Sequence, residues 1–174
     1  MGDPLKYYDL SYLSNIEESL VTRLGYKKIF VIGKDVHLIN QPRPGEVKTI
    51  IRSNDPKKIA SALRNNDTIG VLFEDNILLK KSIEEAGNNG KPVFLSLSDL
   101  MDKDPVQTSR NMNRIRTIVT FARKFGAEIA IATFATRQAY LTSAMQAMAL
   151  SELLGVSIDE SKKALSAIGE YLDN

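Results

Sequence analysis

The chain has no cysteine and one histidine, His37, in 174 residues. Without cysteine there is no disulfide, no thiolate nucleophile and no cysteine-ligated metal. Catalytic zinc and two-metal centres normally combine several imidazoles with carboxylates, and a single histidine does not supply them. His37 lies in the apolar stretch 36–39 and reads as a structural or exposed residue. A carboxylate-only magnesium site, or catalysis by Lys, Glu or Tyr, stays open. Glycine-rich phosphate loops are missing too: Gly25, Gly33 and Gly45 are isolated, and neither the dinucleotide fingerprint nor the Walker pattern fits them. No bound cofactor is therefore expected. Ser96-Leu97-Ser98-Asp99 forms no nucleophile elbow and has no histidine base, which argues against a serine hydrolase. No run approaches the roughly 18 apolar residues of a membrane span, and no basic start leads into an apolar segment. The expectation is an intracellular, cytoplasmic protein without a membrane partner. A net charge of +2 and a pI near 8.7 are mild, so any nucleic-acid contact should be a local patch.

What remains is an ordinary globular composition, 43% hydrophobic and 25% charged, which predicts one α/β domain over residues 1–174. Apolar runs at 6–10, 28–32, 47–51, 68–73, 92–97 and 128–133 read as strands. Between and after them, amphipathic stretches read as helices. The first, 14–24, has Ser14 as N-cap and Glu17 in the capping-box position. Asp55-Pro56 opens a second to residue 65, and a third runs 76–86, closed by Gly87. A long helix over 105–125 is closed by Gly126, and two more span 143–154 and 158–167. The segment 33–46, with Gln41-Pro42-Arg43-Pro44-Gly45, is irregular. Alternating β and α implies a parallel sheet covered by helices, either open and doubly wound or closed as a barrel. Six strands are too few for an eightfold barrel of about 250 residues.

The long helix is the most informative feature. Arg110, Arg114, Arg116, Arg123 and Lys124 fall within it, and no acidic residue follows Asp104 until Glu128. At about 100° per residue, Met112, Ile115, Ile118, Val119, Ala122 and Phe125 share one arc, with the basic groups on the other and its borders. One side packs and the other presents cations, a pattern suited to phosphate because guanidinium forks match its oxygens and association releases counterions. A solvated helix face gives the same pattern. Two arginines extend the feature: Arg52 directly follows the third strand, and Arg137 follows the sixth within Thr133-Phe134-Ala135-Thr136-Arg137. Asp9, Glu74, Asp75 and Asp99 stand at strand ends, where they either bind magnesium or cap helices. The Met145, Met148, Leu150, Leu153 and Leu154 stripe reads as core.

Several segments in order resemble a known family. These are Phe94-Leu95-Ser96-Leu97-Ser98-Asp99-Leu100, the arginine-rich helix ending Ala122-Arg123-Lys124-Phe125-Gly126, the strand entering Thr133-Phe134-Ala135, Ser151-Glu152-Leu153-Leu154-Gly155, and Ser161-Lys162-Lys163-Ala164-Leu165-Ser166. Together they resemble the C-terminal half of archaeal ribonuclease P protein component three, related to the eukaryotic thirty-kilodalton subunit; Ser53-Asn54-Asp55 matches a turn after a barrel strand. The resemblance runs from about residue 47 to 170. It implies a TIM-like α/β barrel, and a cytoplasmic ribonucleoprotein in which RNA catalyses removal of 5′ leaders from precursor tRNA while this protein supports it. The implied partners are the ribonuclease P RNA, precursor tRNA and other protein subunits, especially component two. Arg110, Arg114 and Arg116 stand where the family carries its arginine-rich helix, and Arg123, Lys124, Arg137 and Arg52 complete the expected RNA-binding set. Two departures matter. Thr142-Ser143-Ala144 replaces an Arg then Pro of the family, and the short stretch between residues 28 and 47 lacks a helix, which implies a shortened, incomplete or partly open barrel. The alternative is a small barrel enzyme for a phosphorylated metabolite, with magnesium on Asp9, Glu74, Asp75 or Asp99 and phosphate on Arg137. A scaffold whose basic face binds an acidic protein is a third reading.

Overall fold

A computed structural model describes residues 6–42, 45, 47–73, 80–101 and 103–173. Along the chain run β1 (Tyr8–Ser11), α1 (Glu18–Arg23), β2 (Lys28–Val31), β3 (His37–Ile39), β4 (Thr49–Arg52), α2 (Pro56–Leu63) and β5 (Thr68–Leu72). They are followed by α3 (Lys80–Asn88), β6 (Val93–Ser96), α4 (Pro105–Phe125), β7 (Ile129–Ala132), α5 (Ala144–Leu153) and α6 (Ile158–Leu172), with 3₁₀ turns at Leu97–Leu100 and Gln138–Tyr140. Strands β3-β4-β5-β6-β7 form a five-stranded parallel sheet, and β1-β2 a parallel pair. The chain beyond β7 joins the two: Ser11 bridges Ala135, the Phe134 N–H donates to the Leu10 carbonyl at 2.8 Å, and the Tyr12 N–H to that of Ala135 at 2.9 Å. At the opposite edge Ile32 bridges Val36. This parallel α/β arrangement is compatible with a TIM-like fold.

Burial follows the strand period of two. Leu10, Phe30, Ile50, Phe94, Ala130 and Ala132 pack together on one side of the strands. Their neighbours Ile29, Ile51, Val93, Leu95 and Ile131 pack against Ile59, Leu63, Ile83, Ile115 and Val119 of the helices. Each fully buried aliphatic side chain contributes roughly 1.5–3 kcal/mol, so both layers are needed. Helix α4 has the bounds its ends dictate. Asp104 accepts from the Val106 and Gln107 N–H groups at 2.9 and 3.0 Å, Pro105 takes the first turn, and Gly126 adopts the left-handed conformation at φ 66°.

Three expectations are corrected. The segment 33–46 contains a strand, β3, whose His37, Leu38 and Ile39 pair with Thr49, Ile50 and Ile51; three residues beside a Pro-Gly cluster are too few to display a period. The chain reaches β3 from β2 through a turn in which the N–H of Gly33, at φ 93°, donates to the Val36 carbonyl, with no helix between. Helix α1 starts at Glu18, not near Ser14, and its N-cap position is Glu17, which makes no side-chain capping bond. Gly87 does not end α3. A Cβ there would meet the Phe125 carbonyl, so this glycine permits close approach of α3 to α4. The expected start of that helix at residue 76, and Glu74 and Asp75 before it, lie outside the described residues. Among the described residues no helix is long and apolar enough to cross a membrane.

Candidate functional site

The basic face of α4 is compensated from outside the helix. Arg114, on the border of the packed arc, is nearly buried, and its Nη2 lies 2.8 Å from Asp99 Oδ2 in the 3₁₀ turn after β6. Arg116 donates from Nε and Nη2 to the Leu153 carbonyl, at 3.0 and 2.8 Å, satisfying the C-terminal end of α5. Arg123 grips Glu160 with both fork nitrogens, at 2.8 and 2.6 Å, and donates to the Gly155 carbonyl at 2.6 Å. Glu160 also accepts from the Ser157 N–H at 2.8 Å in the capping box of α6. The Arg123 guanidinium, then the Ser157 N–H, hold its carboxyl down to about 2. For these three arginines the expectation of an uncompensated helix fails: the acidic partners of Arg114 and Arg123 stand 15 and 37 residues away, beyond any local charge count.

Arg110 and Lys124 differ from these three. Both are exposed and form no hydrogen bond or ion pair with the described residues. They lie 14 residues apart, roughly 21 Å along the axis at 1.5 Å per residue, with Asn113, Thr117 and Thr120 on the intervening surface. Arg137 is exposed on the rim after β7, its guanidinium 5.6 Å from the centre of the Tyr140 ring.

A second cluster gathers where the strands end. A cleft of about 190 Å³ is lined by Tyr12 after β1, Arg52 at the end of β4, Phe73 after β5, Ser96 and Ser98 at and after β6, Asp99, and Phe134 and Thr136 after β7. In parallel α/β folds this end of the sheet is where ligands bind. Burial raises the pKa of the Tyr12 hydroxyl, and the charge of Arg52 opposes that rise. Ser96 and Ser98 share a hydroxyl hydrogen bond at 3.0 Å, and Asn111 fixes the turn by donating to the Asp99 carbonyl at 2.6 Å. Phe134 has φ 50°, a conformation costly for a side chain of its size. Burial, an edge-to-face contact with Phe94 and the bond to Leu10 hold it there. Of the residues expected to bind RNA, the structure brings Arg52 to this cleft and Arg114 to its Asp99. Sequence reading missed Tyr12, Ser96, Ser98 and Thr136; their shared signal was position, each lying at or just beyond a strand's C-terminal end.

The carboxylates divide likewise. Asp9 is fully buried, accepting from the Thr133 N–H and hydroxyl, both at 2.6 Å. Burial raises its pKa to about 6 despite these bonds. Asp99 is engaged by Arg114, and Asp55 caps α2 through the Lys57 N–H at 2.9 Å. Among the described residues no three acidic or histidine side chains converge as a metal site would require.

No protein-family model matches the chain, and no curated protein matches it in sequence. Solved structures share its fold. A chain in the cryo-EM structure of archaeal ribonuclease P with mature tRNA aligns with a TM-score of 0.63 and 15% identity, over 95% of this chain and 90% of that one. A prolidase complexed with N-methylphosphonate-L-proline aligns at 0.50 and 12% identity, over 73% of this chain and 33% of its own length. An amidohydrolase does so at 0.50 and 12%, over 74% and 33%. This chain thus spans about a third of those two proteins.

Proposed function

We propose that this chain is a protein subunit of ribonuclease P, supporting RNA-catalysed removal of 5′ leaders from precursor tRNA and not itself the catalyst. The observation that carries the reading is near end-to-end correspondence of fold with a chain of an archaeal ribonuclease P assembly, 95% of one and 90% of the other. The prolidase and amidohydrolase neighbours share only a part of their length with it. The ordered sequence resemblance to protein component three points the same way and was drawn from residues, independently of the fold. Component two of the same enzyme is the partner that this resemblance implies. Asp9 and Asp99 are both engaged by neighbouring side chains, which weighs against these two as magnesium ligands. In this reading Arg110 and Lys124 make the exposed backbone contacts of α4.

Reconstitution tests it. Precursor-tRNA cleavage is measured with ribonuclease P RNA and the other protein subunits, with and without this chain, beside the chain alone. Stimulation only in the presence of the RNA is expected, and Arg110→Ala with Lys124→Ala should lower the salt slope of RNA affinity by roughly one unit each. Lack of stimulation in every combination would overturn the assignment.

A further inference from the structure

We propose that the cleft at the C-terminal ends of the strands is a receptor for one phosphate group, with Arg52 as its principal cation; the proposal rests on the RNA reading for the source of that phosphate. Its members come from five separate places along the chain, after β1, β4, β5, β6 and β7. Such convergence at one end of a parallel sheet is what builds ligand sites in this class of fold.

The charge arithmetic favours an anion. Among the described residues, the ionisable groups around the cleft are Tyr12, Arg52 and Asp99, with Arg114 behind Asp99. Asp99 is already matched by Arg114 at 2.8 Å, so its carboxylate does not neutralise Arg52, and the described lining keeps one net positive charge. The Nε of Arg52 is buried with no hydrogen-bond acceptor. An orphaned buried donor on a guanidinium is costly, and a phosphate oxygen would satisfy it. Neutral hydroxyl donors surround it: Tyr12 beside the guanidinium, the Ser96 and Ser98 pair, and Thr136 on the outer lip. This is a fork plus hydroxyls, the donor set that tetrahedral oxyanions take. Size agrees: a cleft of about 190 Å³ has room for a phosphate group. The strained Phe134 completes the wall by turning the chain after β7 so that Ala135 returns to Ser11 and Thr136 reaches the lip.

Inorganic phosphate is the first probe, followed by the amide signals of Ser98, Thr136 and Arg52 in a heteronuclear NMR titration. Saturable shifts confined to these residues are expected, with about a tenfold or greater loss of affinity in Arg52→Gln, which keeps the side chain long and polar but removes charge and fork. Ser98→Asp, which adds a negative charge to the wall without touching Arg52, should abolish binding and serves if Arg52→Gln does not fold. Unchanged phosphate affinity in either folded variant, or shifts centred on Arg110 and Lys124 instead, would overturn the proposal. A short oligoribonucleotide titrated in parallel separates the two readings. Loss of its affinity in the same variants identifies an RNA phosphate as the source. Phosphate binding without oligoribonucleotide binding at any salt keeps the cleft, assigns it to a free phosphorylated metabolite and removes the RNA reading. RNA binding that depends on Arg110 and Lys124, with no phosphate in the cleft, removes only the cleft.

Discussion

Helices α4 and α5 lie side by side in sequence order around β7 and use their surfaces in opposite ways. Helix α4 carries five basic residues, yet Arg114, Arg116 and Arg123 turn back onto Asp99, the Leu153 carbonyl, and Glu160 with the Gly155 carbonyl. Helix α5 is largely apolar, yet Met145 is 81% and Leu153 57% exposed. Small residues, Ala144, Ala147 and Ser151, form its buried face. The difference teaches that a helix's residue types do not fix which surface is internal; what the next element brings against it does. Charge on α4 is largely cohesive, and apolar area on α5 is left outside.

The comparison breaks most visibly at Arg114. Arg114→Ala leaves the half-buried Asp99 without its cation and should cost about 3 kcal/mol in urea unfolding, with Arg114→Met plus Asp99→Asn recovering most of it. A loss under about 0.5 kcal/mol, typical of surface sites, would return Arg114 to the exposed class with Arg110. Arg123→Ala tests the half-exposed pair and should cost about 1 kcal/mol at neutral pH. Glu160 is depressed from 4.5 to about 2 in the folded chain, so the stabilisation is complete above pH 4.5 and fades as pH falls toward 2. Melting temperatures of the two proteins should therefore converge on acidification; a constant gap would mean that the Gly155 carbonyl contact, not the carboxylate, carries the effect. Smallest is the pair Met145→Ser and Leu153→Ser, expected within about 0.5 kcal/mol of the parent. A larger destabilisation would show that α5 hides apolar area that its exposure does not suggest.

The ends of α4 were legible because Asp104, Pro105 and Gly126 are strong local signals, and the strands at β2, β5 and β6 because their apolar runs are unbroken. Asp55-Pro56 placed α2 for the same reason. The six strands read from the sequence all occur, and a seventh, β3, was hidden by its brevity and its Pro-Gly flank. Capping by Ser143 and Ser157 is local and marks α5 and α6 near their read starts, but α6 runs on to Leu172 because Ile168 and Gly169 pack against β1 and not because of any local stop. Of the Met145 to Leu154 stripe, whose pattern predicts core, Leu154 is buried, but Met145 and Leu153 are not. Nothing local distinguishes them, since α5 is apolar nearly all round. The cleft was half visible: Arg52 stood out by its position, while Tyr12, Ser96, Ser98 and Thr136 are common residue types whose convergence exists only once strands far apart in sequence are neighbours.

The lock between Asp9 and Thr133 carries a consequence for how the protein is made. The two residues are 124 positions apart, so β1 leaves the ribosome long before the strand it must join. At about 5–20 residues per second, that interval is roughly 6–25 s. Throughout it β1 can pair with β2, since Tyr8 through Ser11 face Lys28 through Val31, but its other edge stays open. Asp9, charged and unable to enter an apolar neighbour's sheet at neutral pH without a donor, keeps that waiting edge from joining a second nascent chain until Thr133 arrives.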